Sequence, residues 1–269
     1  MGVSVQAEEK QIAVLIDGEL FTAYKFHPDQ HLPYLFPVCA IGGVNLTEEF
    51  PNLYPHHRSV WLGHGNVNGY DFWSGRETDG RIKHESVLRQ ESGEREGFLA
   101  VRSLWQTPEG HILLTDERLF RFWQDANCRF IDATITLNSQ LPEVLLGKTN
   151  HALFCVRVRH KLAVISGGQI RNSEGGINEQ GTMGQQARWC AFFNTVNDTP
   201  IGIALFDHPE NLWHPSPWFV RDYGFMSPSP FNWGEQVLKA DKPITLRYRI
   251  VAFTEEPDLD ALWQQFATS

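Results

Sequence analysis

The sequence predicts an all-β chain folded as one large β-sandwich, a supersandwich, that ends in a short helix. Three observations carry that expectation. Most segments alternate apolar and polar residues with period two, the spacing that turns one face of a strand onto a core. Turn residues separate these segments, and the 22 glycines and 15 prolines are enough to punctuate many short strands. Only one stretch repeats with the helical period, and no βαβ rhythm, internal repeat or low-complexity linker interrupts the pattern.

The elements follow in order. Residues 1–10 read as a flexible lead-in to a domain spanning 1–269. Gln11 to Ile16, the dipeptide Asp17-Gly18 and Glu19 to Phe26 read as a hairpin with a two-residue turn. The cluster from Pro55 to Trp73 reads as a strand, a turn and the next strand. Leu113 to Phe122 continues the strand pattern. From Arg129 onward, Ile131, Ala133, Ile135 and Leu137 share one face, and Phe130, Asp132, Thr134 and Thr136 the other. Ala152 to Val158, Gly202 to Phe206, Trp218 to Tyr223 and Ile244 to Ala252 are further strands. In the third of these, Trp218 and Val220 oppose Phe219 and Arg221. Stretches of roughly 167–186 and 209–236 read as long loops, which in a compact domain are usually functional or mobile. After Pro257, with Asp258 as cap, Leu259, Leu262, Trp263 and Phe266 fall at helical spacing and predict a helix packed as a lid on a sheet.

With 269 residues, 42% of them hydrophobic, the chain is long enough for a large core. The formal net charge of -9 argues against nucleic acid or an anionic membrane as partner. No apolar run approaches the roughly 18 residues of a spanning helix. The first residues lack a basic and then apolar leader, so a cytoplasmic location is expected. Cys39, Cys128, Cys155 and Cys190 never pair as CxxC and read as reduced core residues, not a disulfide framework or a zinc site.

The densest chemistry is Pro55-His56-His57-Arg58-Ser59-Val60-Trp61-Leu62-Gly63-His64-Gly65, running on to Asn66, Asn68, Asp71 and Trp73. So many groups that are costly to bury unpaired point to one wall of a polar, aromatic-lined pocket. In an extended chain His57, Ser59, Trp61 and Gly63 share one face and Arg58, Val60, Leu62 and His64 the other. His56 and His57 therefore meet in one cavity only if a bulge or turn intervenes. A second constellation is Asn172-Ser173-Glu174-Gly175-Gly176, a carboxylate in a glycine-flanked loop. A third is Phe206-Asp207-His208-Pro209, an acid and an imidazole at the end of an apolar strand, a common setting for general acid/base chemistry. Histidines with a carboxylate also raise a metal site, but no HxH, HxxxH or HExxH spacing occurs among them. No nucleophile elbow, Walker loop or dinucleotide fingerprint is present.

The ordered set His-His-Arg-Ser-x-Trp-x-x-His-Gly, Asn-Gly-x-Asp-Phe-Trp, Leu-Thr-Asp-Glu-Arg, Asn-Ser-Glu-Gly, Phe-Asp-His-Pro and Trp-x-Val-Arg-Asp-Tyr-Gly resembles the bacterial DUF6807 family, from about Pro33 to Phe253. That family often carries the label methane oxygenase PmoA. A particulate methane oxygenase would be membrane-embedded, and this chain has no spanning segment. The resemblance implies instead a carbohydrate context and a β-sandwich like that of the galactose-mutarotase-like or glycoside-hydrolase superfamilies. The matching residues are His56, His57, Arg58, His64, Asp71, Trp73, Glu117, Asn172, Glu174, Asp207, His208 and Arg221. Residues 178–186 are Gln-rich and lack the Trp-Gly expected of the family there.

The functional expectation is a carbohydrate-active protein working by general acid/base chemistry, a hydrolase or a mutarotase-like epimerase without a cofactor. His57 or His208 would transfer the proton, with Glu174 or Asp207 as carboxylate partner. His56, Arg58, His64, Asp71, Asn172 and Arg221 would hold the sugar, and Trp61, Trp73 and Trp218 would stack on it. The partner is a small carbohydrate, with a homodimer open. Two alternatives stand: a non-catalytic sugar-binding protein, and a metal-dependent enzyme built on the histidines.

Overall fold

Alternating strands bury one face each, and here they do so in two stacked sheets. A computed structural model describes residues 2–125 and 127–269. In chain order the strands are β1 (Val3–Ala7), β2 (Gln11–Ile16), β3 (Glu19–Lys25), β4 (Tyr34–Ala40), β5 (Val44–Asn45), β6 (Val60–His64), β7 (Arg81–Glu91), β8 (Glu96–Gln106), β9 (Ile112–Gln124) and β10 (Cys128–Ser139). Then come β11 (Glu143–Leu146), β12 (Ala152–Arg157), β13 (Gln169–Asn172), α1 (Asn178–Thr182), β14 (Trp189–Val196), β15 (Thr199–Asp207), β16 (Trp218–Arg221), β17 (Phe225–Pro228), β18 (Gln236–Lys239), β19 (Ile244–Phe253) and α2 (Leu259–Ala267). The first sheet runs β1-β2-β3-β4-β6-β12-β17-β16, with β5 attached to β4. The second runs β13-β14-β15-β19-β10-β9-β8-β7, and β11 pairs with β18 apart from both. All these strand pairs are antiparallel, so the fold is the predicted all-β sandwich.

The space between the sheets is one apolar cluster drawn from both. Phe154 of β12 stacks on Tyr248 of β19 with ring centroids 4.9 Å apart, and Phe21 of β3 meets Phe122 of β9 edge-on at 6.3 Å. Two buried arginines also tie the layers. Arg118 of β9 reaches Pro33 O ahead of β4 at 3.4 Å and is held by Asp116 at 2.7 Å, whose carboxylate also accepts from Trp105 Nε1 at 2.6 Å. Arg129 of β10 donates to the carbonyls of Cys39 and Ala40 and pairs with Glu19, all in the first sheet.

The hairpin turn at Asp17-Gly18 has positive φ at both residues, 52° and 81°, the geometry that a two-residue hairpin with the sheet's twist requires. The helix α2 is the predicted lid. Asp258 caps it by accepting from Ala261 N at 3.0 Å. Leu259, Trp263 and Phe266 close a second core against Phe130, Phe206 and Phe253 on the outer face of the second sheet. All four cysteines are buried free thiols.

Several local expectations are corrected. The lead-in predicted as flexible contains β1, whose Val3 and Val5 are buried and which pairs with β2 from Val3–Ile16 to Ala7–Ile12. The stretch 167–186 contains β13 and α1, and 209–236 contains β16 and β17. Of these, β16 falls within the strand expected over Trp218 to Tyr223, while β13 and β17 have four residues each, too few to show a period. After β6 the chain does not form a second long strand. It loops back, with Val67 bridging Tyr70 and Leu146.

Candidate functional site

The site grows from one tight turn. Tyr54 to His57 closes with a hydrogen bond from His57 N to Tyr54 O at 2.8 Å. This turn interrupts the strand alternation, so the His56 and His57 rings meet, with centroids 4.6 Å apart. The chain then enters β6, where Leu62 and Trp61 alternate onto opposite faces of the strand and both are buried. Around Trp61 the outer face of the first sheet collects His57 at 5.4 Å, Trp73 at 5.3 Å and Phe225 at 5.8 Å between ring centroids. His151, just before β12, stacks on Trp73 at 5.3 Å. The Tyr54 ring contacts His57 at 5.0 Å and Tyr223 at 4.4 Å, those two lie 6.3 Å from each other, and Arg157 of β12 lies 4.9 Å over the Tyr223 ring.

Burial dominates the electrostatics here. It depresses His57 to about 2, helped by His56, Arg157, His151 and Arg58. Burial, with Arg58 and His56 next, lowers His31 to about 3. His56 and His151 shift the same way by burial, against an opposing pull from Asp71. Tyr223 is pushed up to about 12, chiefly by burial. At neutral pH the face therefore carries neutral imidazoles and a protonated phenol beside fixed guanidinium charges.

The other predicted residues divide. Arg58 lies at this face, but its guanidinium is buried: Nη1 donates to Pro55 O and His57 O, and Nη2 sits 3.2 Å from His31 Nδ1. Asp71 accepts from Trp73 N at 2.5 Å, Ser74 N at 3.0 Å and Ser74 Oγ at 2.7 Å, which shapes the loop beneath His151. Trp73 is at the face, covered by His151. Arg221 pairs with Glu179 at 3.3 Å at the margin. His64 is fully buried, bonded to Gly147 O and packed on Phe231. Trp218 alternates with Phe219, so its indole turns into the core and Nε1 donates to Ala187 O; Phe219 takes the outward place. Asn172 folds its own loop by accepting from Glu174 N and Gly176 N. Glu117 is exposed on the outer face of the second sheet.

The expected convergence of His57 with Glu174, Asp207 and His208 does not occur. Glu174 lies by Arg188 at 3.6 Å, and Arg188 reaches Asp260 of α2. Asp207 is buried, accepting from Asn211 Nδ2 and Ser216 N and paired with His214 at 3.0 Å. His208 packs on Phe266 under α2. The reason is topological: β13 and β15 belong to the second sheet, whose outer side α2 covers, while the His57 turn lies outside the first. Sequence reading missed His31, Tyr54, His151 and Arg157, and left Tyr223 unassigned. His31, His151 and Arg157 are isolated residues in ordinary segments that only tertiary contact joins, while Tyr54 directly precedes the histidine cluster and Tyr223 ends the Arg-Asp-Tyr motif.

Concavities among the described residues lie elsewhere. One of about 910 Å³ is lined by Gly2, Glu94 and Trp123, and one of about 320 Å³ by Arg171 and Phe193. A third, of about 480 Å³, is lined by Phe26, His27, Gln30 and His84. Its lining also holds Glu9, Lys10 and Lys83, whereas the imidazole face joins three histidines through ring contacts with Tyr54, Tyr223 and Trp73. We therefore place the candidate site at the imidazole face, on chemistry rather than volume. Among the described residues no three His, Cys, Asp or Glu side chains are arranged to hold a metal ion, and no helix is long and apolar enough to cross a membrane.

The structure is similar to that of the GH36 alpha-galactosidase AgaB from Geobacillus stearothermophilus, with a TM-score of 0.51 at 12% identity over 95% of this chain and 41% of that one. The chain thus spans about two-fifths of that galactosidase, and the likeness is one of fold. Weaker likenesses are to a galactose mutarotase related enzyme from Lactobacillus acidophilus (TM-score 0.36, 7% identity, 94% and 98% of the two chains). Another is to a putative aldose 1-epimerase from Escherichia coli K12 (TM-score 0.38, 12% identity, 93% and 99%). No curated protein matches the sequence. Residues 11–267 match the family of unknown function DUF6807. The motif order from the double histidine to Arg-Asp-Tyr-Gly, the sandwich that carries it and this match over nearly the whole chain agree, and the protein belongs to the DUF6807 family.

Proposed function

We propose that this protein recognises a sugar at the imidazole face of its first sheet and moves protons on it by general acid/base chemistry. The observation that carries the reading is the gathering of His56, His57 and His151 with Tyr54, Tyr223 and Trp73 around one turn. A ring-opening or anomerising step needs a base for one hydroxyl proton and an acid for the ring oxygen. Neutral His56 or His151, both reachable from solvent, supplies the base. Tyr223, protonated at neutral pH, supplies the acid. Deeply buried His57 positions the two tyrosines.

Glycoside hydrolysis by paired carboxylates fits less well. It needs two carboxyl groups about 5–9.5 Å apart. Asp71 is the carboxylate that acts on both His56 and His151, and its oxygens are committed to the Trp73–Ser74 backbone and hydroxyl. That same scarcity favours, as second reading, a binding protein without catalysis.

Calorimetric titration with a panel of aldoses, followed by exchange NMR of the anomeric protons, tests both. The proposal expects binding that Tyr54→Ala abolishes and anomeric exchange that His56→Gln or His151→Gln slows by about 100-fold or more. Binding without exchange in wild type would leave the second reading. No binding of any sugar would overturn both.

A further inference from the structure

Among the described residues, the buried polar atoms without a hydrogen-bond partner at this face include Arg157 Nη1, Arg58 Nε, Trp61 Nε1 and His57 Nδ1. Their residues are at most 5% exposed. Orphaned buried donors are rare, because each forfeits its bond to water. The chemistry of the set is one-sided. Guanidinium and indole nitrogens donate and cannot accept, and only the imidazole can do either. A sugar hydroxyl would satisfy one such donor while bringing a new proton in need of an acceptor. An ionised carboxylate accepts only, at up to about four lone-pair positions.

The charges agree. Among the described residues Arg58 has no carboxylate at ion-pair distance; its guanidinium bonds to the Pro55 and His57 carbonyls and His31, and Glu49 acts on it from farther off. Arg157 reaches Glu48 with Nε and Nη2 at 3.4 Å, which leaves Nη1 free. Two half-compensated guanidiniums at a buried site are costly in a protein alone, and unusual in a chain of net charge -9.

Resting on the sugar-recognition reading above, we infer that the substrate class is an acidic sugar, a uronic acid or an oligosaccharide ending in one. Its carboxylate is received by Arg157 Nη1 and Trp61 Nε1, with Arg58 adding charge. The Tyr54–Tyr223 stack lies over Arg157, so the carboxylate enters where these rings part. Tyr54 sits on the exposed turn that also carries Leu53, 86% exposed. A carboxylate is favoured over a phosphate because the donors are few and lie beneath aromatic rings, suited to a flat group.

The test titrates the whole protein with glucuronate and galacturonate, with glucose and galactose, and with glucose 1-phosphate and glucose 6-phosphate, at low and high salt. The inference expects the uronates to bind at least tenfold more tightly than the neutral sugars and to weaken with salt, while the neutral sugars do not. Arg157→Gln should abolish that preference, with Arg157→Lys restoring part of it. The wild-type preference is read without any variant, so a misfolded Arg157→Gln does not decide the matter. Equal affinity for uronates and neutral sugars would overturn this inference and leave the sugar-recognition reading standing. Tighter binding of the phosphates would overturn the carboxylate assignment. No binding by any of the six would overturn the sugar-recognition reading itself.

Discussion

His31 shows how single side chains shape the site. Gly75 has φ of 72°, and a Cβ there would lie 2.7 Å from the His31 ring, which in turn meets the Arg58 guanidinium. Gly75→Ala is therefore expected to cost about 1–3 kcal/mol through strain and overpacking, read as a lowered urea midpoint, and to weaken ligand binding through Arg58. His151 is the contrasting case. It is exposed and stacks on Trp73 from outside. His151→Gln should change stability by no more than about 0.5 kcal/mol while lowering proton-transfer activity; a large stability loss would make it a structural residue. Legibility at this scale followed sequence proximity. His56, His57 and Arg58 stand out because they are adjacent. Trp218 misleads, because a tryptophan's outward or inward turn depends on the strand's register, and Phe219 takes the outward place.

Among the elements, α2 was the most legible, since period, cap and apolar face agree. Removing the cap with Asp258→Ala should cost about 1 kcal/mol. Trp263→Ala, which empties the second core and frees Asp207 O from the indole, should cost about 3–5 kcal/mol. Differential scanning calorimetry would rank the two; a loss in Trp263→Ala no larger than in the cap variant would mean that α2 contributes little to the fold. The long alternating strands β9, β10 and β19 were equally clear. Four-residue β13 and β17 were not, because their boundaries are set by neighbours in the sheet rather than by a pattern of their own; β16 was legible from the alternation of Trp218 and Val220 with Phe219 and Arg221.

At the scale of the whole molecule, buried histidines tie stability to pH. Burial lowers His57 to about 2, His31 to about 3 and His64 to about 4, from 6.5. Above about pH 6.5 these rings are neutral in both folded and unfolded chains. Below it, the unfolded chain binds protons that the folded chain refuses. Stability is thus expected to fall as pH drops from about 6.5 toward 4, by up to about 1.4 kcal/mol per pH unit for each ring. Urea unfolding across that range would check it, and His64→Gln should flatten the slope. Arg118, which reaches Pro33 O on the side of the first sheet, is held by Asp116. Asp116→Ala leaves a buried guanidinium without its counter-charge and should cost about 3–5 kcal/mol.

The sequence by itself determined the β-sandwich, the Asp17-Gly18 hairpin, the capped C-terminal helix and the double-histidine centre of the candidate site. All of these rest on residues a few positions apart, where spacing alone dictates which side chains share a face. Only the tertiary structure decided which remote groups join that centre. It brought His31, His151, Arg157 and Tyr223 to the His57 turn, and it left Glu174, Asp207 and His208 with the second sheet. Sheet order decides that division. It is set by how β4, β6, β12 and β17 pair across long stretches of chain, and no local pattern encodes which distant strands become neighbours.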